Sequence, residues 1–140
     1  EIKNTAINYA IGVASVDEID EINILNASFL AMHRAINKLK IEPELLLIDG
    51  NRFNPYKGIK HECFIKGDSK YFSIAAASVL AKNYRDRMMQ KLDIEHPKYD
   101  WKKNKGYGTE KHKEMIYKYG RCDYHRMTFN IKNKQLKLTI

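Results

Sequence analysis

The chain has 140 residues, which suits a single domain, and its 44% hydrophobic content can supply a buried core. No apolar stretch approaches the roughly 20 residues that a membrane-spanning helix needs, and the balance of apolar and charged residues excludes a disordered chain. The net charge of +8 falls entirely in residues 98–140, which hold 12 basic and 4 acidic side chains, whereas residues 1–97 hold 13 of each.

The first two predicted elements are a strand and a helix. In Thr5–Ala14, apolar and small or polar residues alternate, which predicts a strand. Ser15 and Glu18 have the spacing of a capping box, and a helix is expected from there to about Lys40. Its apolar face has the helical spacing of four, three, four and three and consists of Leu25, Phe29, Met32, Ile36 and Leu39.

Two short strands are predicted next. The wholly apolar run Leu45–Ile48 is typical of a strand covered on both faces, as in a parallel sheet with helices packed on it. Asn51–Gly58 is rich in turn formers and predicts a loop, and His61–Ile65 predicts the second strand.

The remaining elements are helical. Tyr71 to about Glu95 predicts a long helix whose first half consists mainly of small residues that allow close packing on a sheet, and Pro97 ends it. Lys98–Gly108 is expected to be an irregular basic and aromatic loop. Thr109 is predicted to cap a helix that runs through Tyr119, and a weak strand is expected at Gln135–Ile140. The order of elements predicts one α/β domain over residues 1–140.

Two aspartates follow predicted strands. Asp49 follows Leu45–Ile48, and Asp68 follows the second strand. If the strands are neighbours, both carboxylates reach the carboxyl edge of the sheet, where paired oxygen ligands suit Mg²⁺ or Mn²⁺. The alternative is structural, because Asp-Gly is a common turn and Gly-Asp-Ser before a helix is a common cap.

The basic segment 98–140 has aromatic residues interleaved with its charge. This mixture favours a surface that binds nucleic acid over one that binds a membrane, although a solvated basic tail is the simpler alternative. The two cysteines, Cys63 and Cys122, show no zinc-site spacing and are consistent with reduced thiols in a cytoplasmic protein.

Several segments resemble the ribonuclease HII family in order and spacing over nearly the whole chain. They are Ile11–Ile24 (IGVASVDEIDEINI), Leu47–Arg52 (LIDGNR), Lys66–Lys70 (KGDSK), Ser73–Asp86 (SIAAASVLAKNYRD), Lys105–Thr109 (KGYGT) and His125–Phe129 (HRMTF). The last of these favours the HII branch over the related HIII branch.

The resemblance implies a ribonuclease H-like fold, a mixed sheet with flanking helices, and a metal site of four carboxylates. Asp49 matches the third of these and Asp68 the fourth. The family's first two, an adjacent Asp-Glu pair before a Gly-Arg-Gly motif, have no counterpart in the sequence. The chain is therefore expected to be a carboxyl-terminal portion that lacks the first strands and is inactive alone.

The resemblance also implies the activity. The complete protein is expected to be a monomer that cleaves the RNA strand of RNA·DNA hybrids and cuts at ribonucleotides embedded in duplex DNA, by two-metal hydrolysis that leaves a 3′-hydroxyl. Tyr107 matches a tyrosine that packs on the sugar at the RNA–DNA junction, and Asn23 matches an asparagine near the substrate. Lys102, Lys103 and Lys105 are expected to contact backbone phosphates. The alternative function is a non-catalytic basic nucleic-acid-binding module.

Overall fold

A computed structural model of the protein describes residues 1–131, and the strand predicted at Gln135–Ile140 lies outside them. Within the described part there are five α-helices, two strands and two 3-10 turns, which confirms the α/β class. In chain order they are α1 (Ile2–Thr5), α2 (Val16–Asn37), β1 (Leu45–Asp49), β2 (Lys60–Phe64), a turn at Gly67–Ser69, α3 (Phe72–Glu95), a turn at Pro97–Tyr99, α4 (Trp101–Asn104) and α5 (Glu110–Tyr119). None of the helices in residues 1–131 is long and apolar enough to cross a membrane.

The strand predicted at Thr5–Ala14 is wrong. Residues 6–15 form no regular element, and residues 11–13 within them lie against α2. The carbonyl oxygens of Ile11 and Val13 accept hydrogen bonds from Lys38 Nζ (3.0 Å) and Arg34 Nη1 (2.8 Å). Alternation alone cannot make a strand, because a strand needs a partner whose backbone completes the ladder. The sheet of the described part contains only β1 and β2, so side chains of α2 take that place.

Helix α2 begins as predicted but contains a break. The Ser15 hydroxyl accepts from Glu18 N and the Glu18 carboxylate accepts from Ser15 N, which confirms the capping box. Arg34 donates to both oxygens of Glu18 and, together with the Ser15 amide, lowers the pKa of that carboxyl to about 2. At Asn23 the backbone leaves the helical region (φ 66°), and the helix ends at Asn37, before Lys40.

The sheet is the parallel pair β1–β2, with Leu45 opposite Lys60 and Asp49 opposite Phe64. The core on one face of this sheet consists of Leu46 and Ile48 of β1, Phe29 of α2 and Phe53 of the loop between the strands. The mixed sheet is not seen in the part that the structure describes, which holds this parallel pair alone.

One packing expectation for this region is corrected. Alternate residues of β1 are buried, but Leu45 on its other face is 44% exposed, so the strand is not covered on both faces. Helix α3 does contact β1 and α4, although in its first half only Ile74 is buried and Phe72 is 85% exposed. The described residues provide no second layer that would cover these side chains.

The expected loop at Lys98–Gly108 is largely ordered and carries a second core. Tyr99 is fully buried and Trp101 is 3% exposed, and both pack with Leu92 of α3. This segment forms the turn Pro97–Tyr99 and helix α4 because burial of its aromatic rings stabilises the compact backbone. That stabilisation exceeds the cost of bringing the neighbouring charged side chains close to the core. Helix α5 is as predicted, with the Thr109 hydroxyl accepting from His112 N and Gly120 following its last residue.

His125 lies within this second core and is 8% exposed. Its ring centroid lies 4.6 Å from that of Tyr99 and 5.3 Å from that of His112. Its Nδ1 atom accepts a hydrogen bond from Cys122 N (3.1 Å). Burial, followed by the charge of His112, lowers the pKa of His125 from 6.5 to about 4.

This shift predicts a pH dependence of folding. The unfolded chain takes up a proton on His125 below pH 6.5, while the folded chain does so only near pH 4. The contribution of neutral His125 to the free energy of unfolding should therefore be fully present above pH 6.5 and should be lost as the pH falls towards 4. His125→Asn keeps an acceptor for Cys122 N. The melting temperature of this variant should depend less on pH between pH 6.5 and 4 than that of the wild type. An equal slope in both proteins would mean that other groups cause the dependence.

Candidate metal and nucleic-acid site

Asp49 and the turn that carries Asp68 meet at the carboxyl edge of the two-stranded sheet. Asp49 is the last residue of β1, and Asp68 lies in the turn Gly67–Ser69 that follows β2. Gly67 N donates to Asp49 Oδ1 at 2.9 Å. The strands are neighbours, as predicted, and both aspartates are exposed to solvent.

Gly67 gives Asp49 its fixed orientation. The glycine is buried, and a Cβ there would lie 2.7 Å from Ile74 Cδ1 and 3.3 Å from Phe64 Cβ. A larger residue would require the Ile74 and Phe64 side chains to shift. The main chain thus engages one carboxylate oxygen and leaves the other available for a ligand.

Asp49 has a structural contact, whereas no side-chain cap bond at the start of α3 is seen in the described residues. Asp49 accepts its hydrogen bond from the next strand's turn rather than from its own turn. Helix α3 has Tyr71 as its N-cap without any side-chain cap bond, so the Gly-Asp-Ser segment does not cap it. Both carboxylates are therefore placed without a capping role.

The donor set fits a hard divalent cation in part. Carboxylate oxygens are the ligands that Mg²⁺ and Mn²⁺ prefer, and Mg²⁺ is often held by one or two carboxylates with water completing the shell. Among residues 1–131 no group of three or more acidic, histidine or cysteine side chains is placed to hold a metal. Asp49 and Asp68 would thus be part of a site whose other ligands are water, substrate or further protein.

An open cleft of about 730 Å³ lies between α3 and the end of α4 with the turn that follows it. Three of the predicted substrate residues, Lys103, Lys105 and Tyr107, line it. Lys102 and Asn23 do not. The other lining residues are Ser78, Ala81, Lys82, Arg85, Asp86 and Asn104.

Tyr107 is 62% exposed in this cleft. The Arg85 guanidinium lies 4.3 Å from the centre of its ring, and Arg85 Nη2 also donates to Lys105 O at 2.8 Å. This cation–π contact leaves most of the ring accessible. Tyr107 is therefore not buried, and Arg85 is the side chain that contacts its ring.

Asn23 has a local role that the sequence did not reveal. Its Oδ1 accepts from Leu25 N (3.0 Å) and Asn26 N (3.1 Å) and so caps the second half of α2. A contact of Asn23 with substrate stays a prediction.

One face of α3 joins the carboxylate edge to the cleft. Ile74 packs on Gly67, and Ser78, Ala81, Lys82 and Arg85 follow at helical spacing and line the cleft. At 1.5 Å per residue the distance along the helix from Ile74 to Arg85 is about 16 Å. A ligand that reaches both places would have to extend along this helix, as a strand of nucleic acid does.

The simpler alternative for the basic segment, a solvated tail, does not describe residues 121–131, which are held in place by hydrogen bonds. The Asp20 carboxylate accepts from Met127 N (2.6 Å) and from the Thr128 amide and hydroxyl. The Thr128 hydroxyl is the main cause of a lowered Asp20 pKa. Arg121 donates to the carbonyl oxygens of Arg126, Met127 and Phe129. The feature of the sequence that pointed to this fixed segment is the family-like motif His125–Phe129.

The comparisons with known proteins agree on one family. A family model described as Ribonuclease HII matches residues 1–132. Proteins named Ribonuclease HII are similar over most of the chain: 57% identical over 137 residues in Christiangramia forsetii, 61% over 130 in Bacteroides thetaiotaomicron and 52% over 139 in Cytophaga hutchinsonii. These alignments cover 98%, 93% and 99% of this chain and 69%, 65% and 69% of those proteins. The chain thus spans about two thirds of the length of these relatives.

Proposed function

Because this chain belongs to the ribonuclease HII family and has the ribonuclease H-like α/β fold, we propose that the full-length protein cleaves the RNA strand of RNA·DNA hybrids and cuts at ribonucleotides embedded in duplex DNA. The observation that supports this most directly is Asp49 at the carboxyl end of β1, bonded to Gly67 N of the turn that contains Asp68. The proposal concerns a monomeric protein of the cytoplasm.

In this proposal Asp49 and Asp68 bind the metals, and α3 with its neighbouring segment binds the duplex. Two Mg²⁺ or Mn²⁺ ions, when bound, would activate a water and offset the charge on the leaving 3′ oxygen. Gly67 N, which donates to Asp49 Oδ1, would hold this carboxylate in one orientation for binding metal. The cut falls on the 5′ side of the ribonucleotide and leaves a 3′-hydroxyl.

The test is a cleavage assay with the full-length protein. Labelled RNA·DNA, RNA·RNA, DNA·DNA and DNA duplexes with one ribonucleotide are incubated with Mg²⁺, Mn²⁺ or EDTA. Cleavage of the first and last substrates in the presence of metal is expected. Binding to all duplexes without cleavage in either metal would favour the alternative, a non-catalytic basic module supported by the charge of residues 98–140.

Tyr107→Ala should reduce cleavage at a single embedded ribonucleotide more than cleavage of a long hybrid. The exposed ring can stack on one sugar at the junction, and a long hybrid offers many binding registers. The measurement is kcat/KM on both substrates, with Tyr84→Ala, an exposed tyrosine of α3, as the control. Equal losses on the two substrates would mean that Tyr107 only supports the fold.

Substitution of Lys102, Lys103 and Lys105 by Ala should weaken binding to all duplexes alike. Lys103 and Lys105 line the cleft, so these two are expected to dominate. Each lost phosphate contact should lower the slope of log K against log salt by about one. A triple variant at the exposed Lys40, Lys60 and Lys91 controls for net charge. A slope that changes equally in both triple variants would place the three lysines away from the duplex.

A further inference from the structure

The backbone just before Tyr107 has an unusual conformation. Lys105 (φ 51°) and Gly106 (φ 76°) are both left-handed, one after the other. Glycine adopts this region readily, but lysine does so only when neighbouring contacts hold it. The direction in which Tyr107 leaves α4 therefore depends on whatever holds this pair.

Asn104 supplies those contacts from the side of the core. Its Oδ1 accepts from Gly106 N at 2.8 Å, and its main-chain oxygen accepts from Tyr107 N at 2.8 Å. Its Nδ2 donates to Tyr99 O at 2.7 Å. Tyr99 is fully buried, and its hydroxyl donates to Gly120 O. One side chain thus connects the turn before Tyr107 to Tyr99, the fully buried residue of the second core.

The contacts from α3 act on a different part of the loop. Arg85 lies over the Tyr107 ring and binds Lys105 O, and Met89 lies beside Gly106. These long side chains can follow the loop if it moves. The amide of Asn104 is short and bonded at both ends, so it is the contact that sets the backbone angle.

We propose that Asn104 is a positioning residue that holds Tyr107 in the cleft and thereby sets the preference for substrates with an RNA–DNA junction. This inference rests on the proposed function of the cleft. Asn104 lines the cleft, but both ends of its side-chain amide are already bonded to the protein. Its effect is exerted through the place of the Tyr107 ring.

The kinetic test uses Asn104→Ala and Asn104→Asp in the full-length protein. Alanine removes both side-chain bonds, and aspartate keeps the acceptor for Gly106 N but places an oxygen against Tyr99 O. Both should lower kcat/KM on a single-ribonucleotide duplex by about tenfold relative to a long hybrid, since small misplacements of a positioning group are costly. Asn83→Asp, which makes the same charge change at an exposed site of α3, should leave this ratio unchanged.

A double-mutant cycle distinguishes positioning from a general loss of structure. In a Tyr107→Ala background, Asn104→Ala should cause no further change in the ratio of the two substrates. Additive losses, or equal losses on both substrates, would overturn the proposal. Melting temperatures of each variant identify any that fail to fold, and the milder Asn104→Asp then carries the comparison.

A measurement that needs no activity completes the test. The ring resonances of Tyr107, assigned by loss of signal in Tyr107→Ala, should shift in Asn104→Ala and stay in place in Asn83→Asp. Unchanged ring signals in Asn104→Ala would overturn the proposal even if activity fell. Failure of the wild-type protein to cleave any substrate would instead refute the proposed function, while the ring shift would still report whether Asn104 holds Tyr107.

Discussion

Asp49→Asn in the full-length protein is expected to lower the cleavage rate by about 100-fold or more, with duplex binding nearly unchanged. The carboxylate stands at the end of β1, where the proposed site needs negative charge to hold metal. Asparagine keeps an oxygen for the bond from Gly67 N, so the turn and the strand should stay in place. What is lost is the charge and the second oxygen ligand.

The assay compares single-turnover rates in Mg²⁺ with duplex affinity from fluorescence anisotropy. Glu62→Gln is the matched control, because it removes one negative charge from an exposed position of β2. It should leave the rate close to that of the wild type. Retention of more than about a tenth of the wild-type rate by Asp49→Asn would remove Asp49 from the metal site.

Gly12→Ala is expected to cost about 3 kcal/mol in the free energy of unfolding. A Cβ at residue 12 would lie 1.8 Å from Ala31 O and 2.6 Å from Ala35 N, both in the backbone of α2. A helix backbone cannot move aside as a flexible side chain can, so the segment around Gly12 would have to move away from α2. The bonds from Arg34 and Lys38 to this segment would then be lost as well.

Urea denaturation gives the free energy and its slope against denaturant. Gly108→Ala is the matched control, because the nearest atom to a Cβ there is Lys113 Cε at 4.0 Å. It should be tolerated with little change. If Gly12→Ala proved as stable as Gly108→Ala, the segment around Gly12 would not pack on α2 in solution.

The sequence by itself determined the elements whose signals are local. The capping box at Ser15 and Glu18, the apolar run of β1 and the Thr109 cap of α5 each depend on residues close in the chain, and each is present. The motifs also identified the family, which the comparisons confirm. The placement of Asp49 and Asp68 near one edge could be inferred because parallel neighbouring strands end on the same side of a sheet.

The tertiary structure alone decided the features that need a distant partner. Thr5–Ala14 alternates like a strand, but without a neighbouring strand in the described part its carbonyls bind side chains of α2. Lys98–Gly108 is charged and looks like a loop, but Leu92 buries its rings. The hydrogen bond from Gly67 N to Asp49 joins residues that are 18 positions apart in the chain. The bond from the Thr128 hydroxyl to Asp20 joins residues that are 108 positions apart. No local pattern encodes such pairs, because their free energy arises only when the chain has folded.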